Sequence, residues 1–205
     1  MPQQKARIAV FVSGGGTNLQ ALIDAEKAGR IPSGKISLVI SSDPKAYALT
    51  RANQAGIPHA AFSRKACGSQ EAFEAAILSC LEEHQIDFIV LAGFLSILNE
   101  NFTSRFPKRI INVHPSLIPS FCGKGFYGLK VHEAALAYGV KVTGATVHYV
   151  NEVTDGGEIL LQKAVAVQEG DTPETLQRRV MEEAEWILLP QATEMVAAKL
   201  IQEEK

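Results

Sequence analysis

The sequence predicts an α/β fold, namely one doubly wound, mostly parallel sheet with helices on both faces. Short apolar runs rich in valine and isoleucine alternate along the chain with longer stretches of helical periodicity, which is the pattern of such a sheet. The run "DFIVLAG" at 87–93 is almost wholly apolar, as is typical of a central parallel strand covered on both faces. With 205 residues, of which 46% are hydrophobic, the chain is long enough for one full core, and we expect a single domain over residues 1–205.

The strands are predicted where β-branched and aromatic residues cluster between turn residues. In chain order they are "RIAVFV" (7–12), "KISLVIS" (35–41), "DFIVLAG" (87–93), "RIINVH" (109–114), "KVTGATVHYV" (141–150) and "EILLQKAVAV" (158–167). A shorter extended piece is expected around "PHAAF" (58–62).

The helices are predicted from apolar residues three and four positions apart and from capping residues. The first follows "SGGG" (13–16) and has Leu19 and Leu22 on one face. We expect Thr17 to cap it, since Thr17 and Gln20 have the spacing of a capping box. The later helices are "AYALTRANQAG" (46–56), a segment capped by Ser69, "LKVHEAALAYG" (129–139), and a final helix from Thr172 to about Ile201 that Pro190 is expected to kink.

Charge and cysteine content narrow the function classes. The net charge is -2 without a basic stripe, which argues against nucleic acid or an anionic membrane as a partner. The three cysteines are odd in number and lack C-x-x-C spacing. This usage argues against disulfides and zinc and predicts a reducing, cytoplasmic location. No apolar run is long enough for a signal peptide or a membrane span.

The loop "SGGGTN" (13–18) lies beyond the carboxyl end of the first strand, where such sheets bind ligands. The backbone N–H groups of Gly16, Thr17 and Asn18 are expected at a helix N-terminus, which favours an anion. Position 19 is leucine where a dinucleotide fingerprint needs glycine, and no Walker lysine is present. A small monophosphate therefore fits best, and a tight turn that only begins a helix is the alternative.

The stretch "NVHPS" (112–116) ends another strand. Residues two apart on a strand point to the same face, about 7 Å apart, so Asn112 and His114 are expected to converge on one substrate atom. Pro115 holds His114 in an extended conformation. An amide and an imidazolium on one rigid edge suit an oxyanion formed during acyl transfer, and a structural histidine is the alternative.

An imidazolium near neutral pH needs a carboxylate beside it, and Asp155 in "TDGG" is the best candidate. Covalent catalysis through Ser116 or Cys122 stays open, although Ser116 lacks a G-x-S-x-G elbow and Cys122 has no evident base beside it in sequence. Metal binding is weakly supported and no metal is expected, because the histidines at 114, 132 and 148 lack an H-E-x-x-H arrangement.

At these residues the sequence closely resembles the folate-dependent glycinamide ribonucleotide formyltransferases. The likeness covers almost the whole chain and rests on "VSGGGTNLQALID", "VLAGF", "NVHPSLIPSF", "VTGATVHYV" and "TDGG". It implies the formyltransferase fold with a Rossmann-like N-terminal half. It also implies a phosphate-binding half at about 1–105 and a catalytic, folate-binding half at about 106–205.

The resemblance implies that Gly16, Thr17 and Asn18 hold the phosphate of glycinamide ribonucleotide. Glu185 matches a family residue that contacts this substrate, in an alignment that crosses a one-residue length difference.

The resemblance also implies the reaction. The glycyl amine of glycinamide ribonucleotide attacks the formyl carbon of 10-formyltetrahydrofolate, the co-substrate, without an acyl-enzyme, in purine biosynthesis. Asn112 and protonated His114 stabilise the oxyanion, while Asp155 keeps His114 charged and assists proton transfer.

The folate pocket implied by the resemblance comprises Leu95, Ser96, Ile97, Leu98, Asn112, Gln70 and the loop at 150–155. Many family members have arginine where this chain has Gln70 and Ser96, and we expect Arg64 and Lys65 to replace part of the missing charge. A formyltetrahydrofolate hydrolase and a non-catalytic nucleotide-binding module are the alternative functions. A monomer or a homodimer is expected.

Overall fold

The structure, a computed structural model, describes residues 5–203. One seven-stranded mixed sheet has the order β3-β2-β1-β4-β5-β6-β7. The strands are β1 Ala6–Val12, β2 Gly34–Ser41, β3 His59–Ala61, β4 Phe88–Leu91, β5 Ile110–His114, β6 Val142–Tyr149 and β7 Ile159–Ala166. The first five are parallel, whereas β6 is antiparallel to β5 and β7 to β6. The predicted fold class and all predicted strands are confirmed.

Helices cover both faces of this sheet. They are α1 Thr17–Lys27, α2 Tyr47–Gln54, α3 Arg64–Cys67, α4 Gln70–Glu83, α5 Glu100–Thr103, α6 Leu129–Tyr138, α7 Pro173–Val180 and α8 Trp186–Glu203, with a π-helix, Met181–Glu185, between α7 and α8. Alternate residues of β1 enter two separate cores. Ile8 and Val10 pack into the core that includes α1 and α8, while Ala9 and Phe11 pack into the core that includes α4.

The start of α1 differs from the prediction. Gly16, in the left-handed conformation with φ of 71°, is the N-cap, and no side chain caps the helix. Thr17 is already the first helical residue, so its hydroxyl cannot reach the N–H groups that an N-cap side chain satisfies. Its Oγ1 donates to Met181 Sδ instead, and Gln20 Nε2 donates to Asp24 Oδ1. The predicted capping box was wrong. By contrast, Ser69 caps α4 as predicted, because its hydroxyl accepts from the N–H of Ala72.

The final helical segment is interrupted earlier than expected. It opens at the N-cap Thr172, with Pro173 as the first helical residue. The irregular part is the π-helix at Met181–Glu185, whereas α8 continues through Pro190. A π-helix holds one more residue than the α-helical turn it replaces, so it shifts the side chains that follow.

The strand order places the predicted loops together. The order along the sheet reverses between β1 and β4, which is the position where doubly wound folds bind ligands. Because β1, β4 and β5 are adjacent and parallel, the loops that follow them emerge at one edge of the sheet. Strand β6 runs back along β5 and sets His148 opposite Asn112.

Candidate active site

His114 lies at the end of β5 and is only 4% exposed. Its Nε2 donates a hydrogen bond to the carbonyl oxygen of Phe121 at 2.9 Å, and its Nδ1 lies 3.6 Å from Asp155 Oδ2. The predicted pairing of His114 with Asp155 is therefore present, at a distance typical of an ion pair rather than of a hydrogen bond.

Asp155 sits in the tight loop before β7 with φ of 55°, a left-handed conformation that is uncommon for residues other than glycine. Its Oδ2 accepts from the N–H of Gly123 at 2.8 Å. Burial of Asp155 raises its pKa, but the contact with His148, the charge of His114 and the N–H of Gly123 together outweigh burial and hold the pKa below its ordinary value. Asp155 is consequently an anion at neutral pH.

His148 also lies beside Asn112 and Asp155. The sequence had indicated it only as a poor metal ligand. Its Nδ1 lies 2.8 Å from the carbonyl oxygen of Tyr149. A carbonyl oxygen only accepts, so Nδ1 carries a proton. Its Nε2 lies 3.2 Å from Asn112 Nδ2 and 3.7 Å from Asp155 Oδ1. His148 thus orients the amide of Asn112, and the pairing of β5 with β6, which the sequence did not predict, brings the two together.

The glycine-rich segment at 121–128 contacts the catalytic candidates through its backbone. The carbonyl of Phe121 accepts from His114, and the N–H of Gly123 donates to Asp155. Phe121 has φ of 49° and Gly123 has φ of 87°, so both are in the left-handed region. Sequence reasoning gave this segment no role, because backbone contacts leave no residue-type pattern.

The two nucleophile candidates are poorly placed for covalent catalysis. The buried hydroxyl of Ser116 donates to the carbonyl of Ser120, so its proton is already engaged. Burial, and next the negative charge of Asp155, raise the pKa of the Cys122 thiol, which disfavours the reactive thiolate.

The glycine loop meets the final helical segment at a buried hydrogen bond. Asn18 Nδ2 donates to Glu185 Oε2 at 2.7 Å, and both side chains are at least nine-tenths buried. Asn18 Oδ1 is also buried and has no hydrogen-bond partner among the described residues. The structure therefore unites the predicted loop with Glu185, which lies far away in sequence.

Glu185 is the last residue of the π-helix. In this position its carboxyl accepts the hydrogen bond from Asn18. Burial raises the pKa of Glu185 to about 7, although the hydrogen bond from Asn18 lowers it. π-helical turns are frequent at functional sites.

An open pocket of about 600 Å³ lies next to the predicted folate residues. It is lined by Arg64, Lys65, Gly68, Ser69, Gln70, Leu95, Ser96 and Ile97. Leu95 and Ile97 are 64% and 70% exposed, which is a large exposure for apolar side chains. Gln70 Nε2 donates to the carbonyl of Ile97 at 2.9 Å, so Gln70 fixes this loop.

Two other predicted folate elements lie outside the lining of that pocket. Leu98 packs against the core on the α4 side, and so does Val150 at the start of the predicted loop. Val153, in the same loop, is exposed.

Within residues 5–203, no group of three or more histidine, cysteine or acidic side chains could hold a metal ion. Burial, and next the charge of His114, lower the pKa of His132 to about 4, so this buried imidazole is neutral at pH 7. Among the described helices, none combines the length and the hydropathy needed to cross a membrane.

Comparison with known proteins identifies the family of the chain. A model of the formyl transferase family matches residues 6–193. Phosphoribosylglycinamide formyltransferase from Haemophilus influenzae is 44% identical over 177 residues, which are 86% of this chain and 81% of that protein. The human trifunctional purine biosynthetic protein adenosine-3 is 44% identical over 200 residues, or 98% of this chain, but the chain spans only 19% of that longer protein.

A solved structure shows the same similarity. The glycinamide ribonucleotide transformylase 1 of Symbiobacterium toebii is 42% identical and superposes with a TM-score of 0.88, covering 95% of this chain and 89% of the other. The chain therefore belongs to the formyl transferase family, and within it to the phosphoribosylglycinamide formyltransferases.

Proposed function

We propose that the protein transfers the formyl group of 10-formyltetrahydrofolate to the glycyl amine of glycinamide ribonucleotide, giving formylglycinamide ribonucleotide and tetrahydrofolate in purine biosynthesis. The observation that carries this proposal is the group of Asn112, His114 and Asp155 on the sheet edge that also bears the glycine loop. Family membership supports it, because the relatives are named for this reaction.

The acceptor binds with its phosphate at Gly16, Thr17 and Asn18. The first N–H groups of a helix have no partners within the helix and suit an anion. The unpartnered Oδ1 of Asn18 and the carboxyl of Glu185 accept hydrogen bonds from the acceptor. This arrangement directs the glycyl amine toward the end of β5.

The neutral glycyl amine attacks the formyl carbon of the donor, and the carbon–nitrogen bond forms as the carbonyl electrons move to oxygen. Asn112 Nδ2 and His114 Nε2 donate to that oxyanion, which replaces the carbonyl of Phe121 as the acceptor for His114. Asp155 is an anion beside the imidazolium and favours its charged form.

The intermediate collapses when the bond from the formyl carbon to N10 of the folate breaks and its electrons return to N10. The proton lost by the attacking amine goes to N10, and we assign the assistance of this transfer to His114 and Asp155. The products are the formamide and tetrahydrofolate, so no acyl-enzyme is required. The raised pKa of Cys122 and the hydrogen bond of Ser116 support direct transfer.

The donor lies along the loop that follows β4. The exposed side chains of Leu95 and Ile97 offer apolar contact to its ring system, and Ser96 and Gln70 line the same pocket. Leu98 and the loop at 150–155 border the donor from outside that pocket. Arg64 and Lys65, which line the same pocket as Gln70, attract the glutamate tail in place of the arginines that many family members have.

The test is an assay of tetrahydrofolate release from 10-formyltetrahydrofolate with and without glycinamide ribonucleotide. We expect release that depends on the acceptor and is lost in His114→Ala. Equal release without the acceptor would identify a hydrolase. No release, whether the acceptor is present or absent, would identify a binding module.

A monomeric or homodimeric state and a cytoplasmic location stay predictions.

A further inference from the structure

Arg51, on α2, joins the two sides of the glycine loop. Its Nε donates to the carbonyl oxygen of Gly15 at 2.8 Å, and its Nη1 donates to Gln20 Oε1 at 3.1 Å. Gly15 lies before the start of α1, whereas Gln20 is in its first turn. The guanidinium lies over the ring of Tyr47, 5.1 Å from its centroid, so the side chain is held from a third direction.

Helix α2 also packs directly against the loop. The N–H of Ala48 donates to the carbonyl of Gly14 at 3.1 Å, and a Cβ at Gly16 would lie 2.6 Å from Ala48 Cβ. The carbonyl oxygens of Gly14 and Gly15 are therefore both engaged by α2. Since carbonyl oxygens repel anions, this engagement leaves the N–H groups at the start of α1 to face a ligand.

The fold itself does not require glycine at two of the loop positions. Gly14 and Gly15 are outside the left-handed region, and a Cβ at either would meet no atom within 4 Å. Glycine there leaves open space for a ligand that approaches the backbone closely. The buried, unpartnered Oδ1 of Asn18 independently indicates a ligand at the same loop, one that carries a hydrogen-bond donor beside its phosphate.

We propose that Arg51 is a positioning residue for the phosphate of the acceptor: it holds the carbonyl of Gly15 away from the anion and places a fixed positive charge behind the loop. The inference rests on the proposed function and adds a specificity residue to it. An arginine is suited to this role because its planar fork bonds two acceptors at once while staying charged.

The test compares KM and kcat for two acceptors, glycinamide ribonucleotide and its phosphate-free form, glycinamide riboside. Arg51→Ala should raise KM for the ribonucleotide on the order of tenfold, as for loss of one charge-assisted hydrogen bond, and leave kcat within about twofold. With the riboside, wild type and variant should have the same KM. Arg51→Lys keeps the charge but not the fork, so its KM should rise only about threefold.

Arg30→Ala is the matched control, because Arg30 is exposed just after α1, at the other end of that helix. It removes the same charge and should leave both KM values unchanged. An unchanged KM in Arg51→Ala, or an equal rise with the riboside, would overturn the inference.

Calorimetric titration with inorganic phosphate is independent of turnover: weaker binding to Arg51→Ala than to Arg30→Ala supports the role of Arg51, and equal binding contradicts it. Absence of acceptor-dependent turnover in wild type would instead refute the proposed function.

Discussion

The buried carboxyl of Glu185 makes the stability of the protein depend on pH in a predictable way. Burial raises its pKa from 4.5 to about 7, so between these values the folded protein holds a proton that the unfolded chain has lost. The stabilisation that the protonated carboxyl contributes to folding is therefore fully present below the pKa of the unfolded chain. It is lost as pH rises through the pKa of the folded protein. At about 1.4 kcal/mol for each pKa unit, the complete effect is about 3 kcal/mol.

The perturbation is Glu185→Gln, which keeps the shape and the contact with Asn18 but cannot ionise. Urea unfolding at several pH values measures the free energy of unfolding of both proteins. From pH 5 to pH 8 the wild type should lose about 2 to 3 kcal/mol relative to the variant. Glu183→Gln is the control, because Glu183 is exposed on the same π-helix. Parallel pH profiles of wild type and Glu185→Gln would refute the reasoning.

Three further predictions concern catalysis and donor binding. His114→Ala and Asn112→Ala should each lower kcat by about a hundred- to a thousandfold with little change in thermal unfolding; near-normal turnover of a folded variant would exclude an oxyanion role. Asp155→Asn removes the anion beside the imidazole of His114, so kcat should fall while the KM of the acceptor stays about the same; an unchanged kcat would show that Asp155 does not support His114. Exposed ion pairs contribute about 0–1 kcal/mol and are screened by salt, so a triglutamate donor tail should improve KM less than about fivefold. That gain should disappear at high salt and in the Arg64→Ala, Lys65→Ala double variant, and a large preference that survives both would indicate a buried cation elsewhere.

Local patterns predict those parts of the candidate site that lie on one element. Asn112 and His114 were predicted because a β-rich run stops at Pro115, which defines the end of a strand and the face that both side chains share. The central strand β4 was predicted from its continuous apolar run, which is characteristic of burial on both faces.

Long-range pairing was beyond those patterns. His148 faces Asn112 only because β6 runs antiparallel to β5 in one register, and a period of two does not identify the neighbouring strand or its direction. The backbone contact between Phe121 and His114 depends on a left-handed φ at a phenylalanine, which sequence propensities disfavour.

The wrong prediction of the cap of α1 also comes from a residue in the left-handed conformation. The spacing of Thr17 and Gln20 fits a capping box, but the left-handed Gly16 lets the helix begin one residue earlier than that box requires. The π-helix before α8 adds only one residue to a continuous helical pattern, so hydrophobic periodicity cannot locate it. Periodicity does not show which carboxyl faces the loop either; the resemblance implies Glu185, and in the structure Glu185 accepts a hydrogen bond from Asn18.

The fate of the formyl carbon tests the central claim most directly. The protein is incubated with 10-formyltetrahydrofolate labelled with ¹³C in the formyl group and with glycinamide ribonucleotide, and the label is followed by NMR. Transfer predicts that the label appears as a formamide on the glycyl nitrogen, at the rate at which tetrahydrofolate forms and only with His114 intact. Appearance of the label as free formate, at the same rate with or without the acceptor, would contradict it.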